Sequence, residues 1–250
     1  MSYDDDVPQN PWTRPGFIAA ALVVAIVLVL GVSLAVRVAS RDDPEPVPTN
    51  AGEPTTQTSE PEPTEAGGDP SVCGLDQVEL EGTVTTAPEA EWTLLGTTAA
   101  PASAEAGPGS SDDAGARYCF ARTPEGAVMA AANIFAMSST PELLHPLMDK
   151  LAEPGPGRDA ALKLTEGAAS GSAPGVRVQI AGFNLLEYDG GDTATVDIAF
   201  TASNDTQGAI PYELRWSGGD WKLQLRDDGS MRFTPTQLPD LAGYIPWAGA

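Results

Sequence analysis

Cysteine and histidine are nearly missing from this 250-residue chain, which has two Cys (Cys73 and Cys119) and one His (His145). That supply is too small for a closed zinc site or an iron–sulfur cluster, so the sequence implies no metal and no other cofactor. Basic residues are scarce as well: 13 Lys and Arg stand against 35 Asp and Glu, for a net charge of −22. A surface of that sign repels phosphate backbones, and nucleic acid is not expected as a partner. No Ser-His-Asp order and no G-x-S-x-G elbow occurs, which removes the commonest hydrolase signature. With Tyr3 and Trp12 set aside, every Tyr and Trp lies beyond residue 71. In their place the chain has 26 Gly and 23 Pro, more than a packed 250-residue protein needs. One compact domain with additions is the expectation.

The additions come first. Phe17 to Val36 reads FIAAALVVAIVLVLGVSLAV, uncharged throughout and long enough as a helix to cross a bilayer core of about 30 Å. Pro15 suits the first helical turn, Arg14 and Arg37 bracket the run at headgroup depth, and Trp12 is an interfacial anchor. The alternative is a cleaved signal peptide, with Ser33-Leu34-Ala35 as a small-x-small site, but an Asp-rich leader makes a poor n-region. The positive-inside count slightly favours the opposite orientation, since Arg37 and Arg41 follow the span and only Arg14 precedes it, but long domains translocate largely regardless of charge. The two Cys suit the outside better than the inside. Residues 1–14 are therefore assigned to a cytoplasmic tail, 15–38 to a transmembrane helix, 39–70 to a disordered stalk and 71–250 to an extracytoplasmic α+β domain. The stalk assignment rests on seven Pro, eight acids and a single Arg in residues 40–70, a composition unable to bury a core.

Within the domain, two Cys on the oxidising side read as one Cys73–Cys119 disulfide, with a reactive or metal-binding thiol as the alternative. Ala99 to Gly115 is expected to be a surface loop, since it shows no periodicity. Thr123-Pro124-Glu125 reads as a helix start, with Val128, Ala131, Ala132 and Phe135 on one face; Thr140-Pro141-Glu142 reads as a second start, with Pro146 able to bend the helix it opens. Pro154 to Gly157 should end that helix, and a third begins at Arg158. After Gly175 the period changes to two: Val176, Val178 and Ile180 form one strand, and Ala194, Val196, Ile198 and Phe200 another, joined by the turn Tyr188 to Asp192. YELRWSGGDWKLQLR is a long hairpin turning at Ser217 to Asp220, with Tyr212, Leu214, Trp216, Trp221, Leu223 and Leu225 on one face. The apolar end, LPDLAGYIPWAGA, should pack down, with docking on another subunit as its functional alternative.

Three helices followed by four antiparallel strands, the last two joined by a Gly-Gly hairpin with Trp just after the turn, resemble the cone-shaped nuclear transport factor 2-like fold. The segments Cys119 to Ala127, Ile180 to Phe183, Trp216 to Trp221 and Gly243 to Trp247 resemble an uncharacterised family of actinobacterial membrane proteins associated with integrative conjugative elements. Together with one span and a stalk, the layout is similar to inner-membrane assembly factors of type IV secretion and conjugation systems. That resemblance implies three helices packed on a curved antiparallel sheet and a role in a DNA-transfer apparatus, and it brings no catalytic motif.

The functional expectation is a single-pass membrane protein, N-terminus cytoplasmic and domain outside, acting as a scaffold for envelope or transfer-apparatus proteins or for further copies of itself. Tyr212, Trp216, Trp221, Tyr244 and Trp247 are the candidate partner surface. The alternatives are an envelope regulatory protein and a ligand pocket or enzyme in the cone, for which His145, Asp197 and Glu187 are the thin acid/base candidates.

Overall fold

The computed structural model describes residues 69–166 and 177–249. The transmembrane assignment (15–38), the tail and nearly all of the stalk lie outside the described residues; among those described, no helix is long and apolar enough to cross a membrane. The domain is a mixed α/β unit with a large antiparallel sheet and three helices. Its chain order is β1 (Glu91–Leu95), β2 (Thr98–Ala102), β3 (Ser110–Ser111), β4 (Arg117–Tyr118), α1 (Pro124–Ser138), α2 (Leu144–Leu151), α3 (Pro156–Thr165), β5 (Val178–Asp189), β6 (Thr193–Ala202), β7 (Gln207–Ser217), β8 (Asp220–Leu223), β9 (Thr236–Gln237) and β10 (Ile245–Pro246). The main sheet runs β10-β5-β6-β7-β8, with β9 also on β7; β1 and β2 form a separate hairpin, as do β3 and β4.

Helix α1 starts where the sequence places it. Thr123 is extended, its hydroxyl oxygen accepts the Gly126 N–H at 2.9 Å, and Pro124 opens the helix. Its Ala-rich sequence has almost no polar face, and residues Gly126 through Met137 are all buried. A helix apolar all round must be enclosed on all sides, and α1 packs against β5 to β8, against β2 and against α2. Gly126 is needed for this seat: a Cβ there would lie 2.0 Å from the Ala121 carbonyl oxygen. The one polar side chain in the enclosed stretch, Asn133, is fully satisfied. Its Nδ2 donates to Pro101 and Met129 carbonyls, both at 2.9 Å, and its Oδ1 accepts from Arg117 at 3.3 Å. Asn133→Ala strands the Pro101 carbonyl in the core and is expected to cost about 1–3 kcal/mol, read as a lower urea midpoint at unchanged slope.

Several expectations need correction. Ala99 to Gly115 is not a loop: it holds β2, four of whose five residues are buried, and β3. Its small side chains carry no periodic signal, but they let β2 lie close against α1. The hairpin partner β1 had no expectation attached. At the second helix start Thr140 caps nothing, its hydroxyl donating instead to Leu95 O at 3.2 Å, and a single 3-10 turn, Pro141–Leu143, leads into α2. Helix α3 begins at Pro156, inside the segment assigned as a terminator, because Pro suits an opening turn as well as an ending. Strand β5 extends to Asp189 through two register shifts, at Ile180/Gly182 and Leu185/Glu187. Such bulges break alternation, so the strand looked shorter in the sequence.

The core lies between α1 and the inner face of the sheet, where Phe120, Phe183, Ile198, Tyr212, Leu214, Trp221 and Leu223 meet α1 and α2. The C-terminal segment does pack down. From β9 on the β7 edge it crosses the outer face of the sheet to β10 on the β5 edge, and Tyr244 donates to Asp197 of β6 at 2.6 Å on the way. Trp247 then inserts edge-on against Trp92 and Phe183, with its indole N–H on the Pro88 carbonyl at 3.0 Å.

Candidate functional site

The best-defined polar construction in the domain sits where the chain enters it. Gly218 and Gly219, at φ 60° and 76°, form the two-residue turn between β7 and β8, with Ser217 paired to Asp220. The turn is therefore the one the sequence predicts. Asp220, read from the sequence only as a turn residue, is wholly buried. Its Oδ2 accepts the Cys119 N–H and its Oδ1 the Phe120 N–H, each at 2.9 Å, and Lys222 Nζ lies 3.3 Å away. Burial pushes this carboxyl up from its ordinary range, opposed by Lys222 and the two amides. One residue on, the Trp221 indole donates to the Ala121 carbonyl at 2.9 Å, so β8 clamps Cys119 to Ala121 along its length.

The predicted disulfide is present, joining Cys73 to Cys119 with Cα atoms 6.1 Å apart. Cys119 adopts φ 71°, a left-handed conformation that a non-glycine residue holds only when its surroundings impose it. The Asp220 carboxylate and the disulfide supply that constraint from two sides. Cys73 lies in the turn Ser71 to Gly74, which is tied to the hairpin by the Val72 N–H on the Gly219 carbonyl at 2.9 Å. Gly109 is part of the same packing, since a Cβ there would sit 2.4 Å from Cys73 Sγ.

The candidate partner surface needs a correction. Tyr212, Trp221 and Trp247 are buried, and only Trp216 and Tyr244 are half-exposed. The alternation that puts Tyr212, Trp216 and Trp221 on one face is right, but that face is the core face. Trp216 packs edge-on against Trp221 at 5.4 Å and carries the Arg122 guanidinium 5.5 Å above its ring. Arg122 also pairs with Asp192 at 2.6 Å and donates to the Gly191 carbonyl at 3.0 Å. Nor are the three acid/base candidates brought together: His145 is exposed on α2, 3.3 Å from the Thr165 hydroxyl, Asp197 meets Tyr244 on the outer face, and Glu187 is exposed on β5.

Asp197 has a titratable role of its own. Its Oδ1 is buried with no hydrogen-bond partner, and burial raises its pKa against the lowering effect of the Tyr244 hydroxyl. A carboxyl raised on folding contributes stability that is complete below its unfolded value, about pH 4, and lost as the pH rises through the folded value. Asp220 and Glu125 shift in the same direction. Asp197→Asn is therefore expected to shrink the fall in thermal midpoint between about pH 4 and pH 7, and melts that keep the wild-type pH slope would contradict this.

At the start of α1 the surface is acidic. Glu89, Glu91, Glu105 and Glu125 line one open cleft, and Glu79, Glu105 and Glu125 line its neighbour. Burial, followed by the charges of Glu79 and Glu105, raises the Glu125 pKa. Among the described residues no group of His, Cys, Asp and Glu is arranged to hold a metal ion. The sequence gives the net acidity of the chain but not this convergence, because the five glutamates, spread over residues 79–125, are brought together only by the fold.

Comparison with known proteins gives one family, described as a domain of unknown function (DUF8175), which matches residues 53–246. No curated protein and no solved structure matches the chain.

Proposed function

Starting from a chain that belongs to this family of unknown function, we propose that it is a single-pass membrane protein whose disulfide-closed domain stands outside the membrane and works by binding other envelope proteins. The observation that carries the reading is the Cys73–Cys119 bond at the entrance of the domain, a linkage that persists on the oxidising side of a membrane. The uncharged run Phe17 to Val36 supplies the anchor and the acid- and Pro-rich residues 39–70 the spacer. Binding is preferred over catalysis because the inner face of the sheet is occupied by Phe120, Phe183, Tyr212 and Trp221, and because His145, Asp197 and Glu187 lie on separate elements.

The finer reading is a scaffold of a conjugation or type IV secretion-like apparatus with a nuclear transport factor 2-like domain. In its favour are three helices preceding four sequential antiparallel strands, and the two register shifts in β5, of the kind that curve a sheet. Contacts with envelope partners or with a second copy would use what the fold leaves open, namely Trp216, Tyr244 and exposed Leu186.

Protease added to intact cells tests the compartment. A C-terminal epitope is expected to be lost without lysis; loss only after lysis would overturn the topology. Neighbouring genes test the finer reading, since transfer ATPases beside this one would support it and a sigma factor would favour envelope regulation.

A further inference from the structure

The two sulfurs of the disulfide are not equivalent. Cys119 is wholly buried, whereas Cys73 is exposed in a turn in which Val72 and Gly74 are exposed too and Ser71 is buried. The buried sulfur also has the closer polar contacts: the Cys73 N–H points at Cys119 Sγ at 3.1 Å, and the Ser71 hydroxyl lies 2.6 Å from the same atom against 3.4 Å from Cys73 Sγ. Thiol–disulfide exchange needs an accessible sulfur to attack and a leaving sulfur that can carry negative charge. Of the two residues Cys73 is the exposed one, and the hydrogen-bond donors at Cys119 Sγ let that sulfur carry the departing charge against the cost of its burial. Bonds from Asp220 to the Cys119 and Phe120 amides hold the leaving residue in place when the linkage opens. The Asp220 oxygens are engaged by those amides and by Lys222.

We infer that the Cys73–Cys119 bond is a directional exchange site for extracytoplasmic thiols, attacked at Cys73 with Cys119 as the leaving group. An external thiolate forms a new S–S bond to Cys73 Sγ, and the electron pair of the old bond departs on Cys119 Sγ as a thiolate that accepts from the Cys73 N–H and the Ser71 hydroxyl and is protonated by water only once the turn has opened. A second external thiol then attacks its partner's sulfur in the mixed disulfide and releases the Cys73 thiolate; the protein gains two electrons and the two external thiols become one disulfide. Opening the bond removes the covalent fastening of the Ser71 to Gly74 turn and leaves it held by hydrogen bonds, from the Val72 N–H to the Gly219 carbonyl and from the Cys73 N–H and the Ser71 hydroxyl to Cys119 Sγ. The inference concerns chemistry at the bond and stands apart from the identity of any binding partner.

Glutathione is the test probe. The full chain in detergent, without denaturant, is incubated with glutathione near pH 8, quenched with acid and mapped by peptide mass spectrometry. The expected result is a glutathione adduct on Cys73 and a free thiol on Cys119. Ser71→Ala is expected to slow opening by roughly three- to ten-fold, the worth of one hydrogen bond to the leaving sulfur, and Ser71→Thr to restore the rate. Adducts divided equally or found on Cys119, opening only in denaturant, or a Ser71→Ala rate equal to wild type would each overturn the inference.

Discussion

Cys73→Ser/Cys119→Ser is expected to lower the stability of the domain by about 4 kcal/mol, because the bridge spans 46 residues and its absence frees that loop in the unfolded chain. For a domain of this size the thermal midpoint should fall by roughly 10 °C. Calorimetry of the oxidised wild type and the double variant measures it, and equal midpoints would show that the bridge adds nothing. The loss should be felt first between the two cysteines. The β1–β2 hairpin lies inside the loop and packs on α1, while its other fastenings are a few side-chain contacts such as Thr140 on the Leu95 carbonyl and Arg117 on the Thr93 hydroxyl. Hydrogen exchange in β1 and β2 should therefore rise before exchange in β5 to β7.

Asp220→Ala is expected to cost about as much, roughly 3–5 kcal/mol, since it leaves the buried Cys119 and Phe120 amides and the Lys222 ammonium without their acceptor. Asp220→Asn should fall between alanine and wild type, because a carboxamide keeps one acceptor but turns its NH2 toward the second amide. Chemical denaturation of the three proteins gives the order, and alanine equal to wild type would contradict the role. The residue and the disulfide act on one segment, so their effects should not add. Once the bridge is gone, the Cys119 backbone can move toward water, and Asp220→Ala should then cost less than it does in the oxidised protein.

Elements whose cause is local were readable in advance. Thr123 with Pro124 announces α1, Gly218-Gly219 announces the β7–β8 turn, and the alternation around Tyr212 to Leu225 announces the core face of the hairpin. The paired cysteines announced their bond. Where sequence reading failed, the cause lay in distant parts of the chain. Alternation puts Asp220 beside Lys222, on the face away from Trp221, and only the arrival of Cys119 and Phe120 from a hundred residues earlier covers it. Strand β2 was invisible because alanine buries against α1 without leaving a periodic mark. The aromatics proposed as a partner surface were placed correctly in the pattern and wrongly in space, since an apolar face reads the same whether a partner or the protein's own helix covers it.

The path of residues 236–247 bears on how copies of this protein could associate. Strand edges invite other chains to extend a sheet by backbone pairing, which is a common route to uncontrolled polymers. Here Thr236–Gln237 occupies part of one margin and Ile245–Pro246 part of the other, with Tyr244 latched to Asp197 between them. A ladder growing through those stretches would have to peel this strap away and withdraw Trp247 from its socket, so intact domains cannot pair their backbones there.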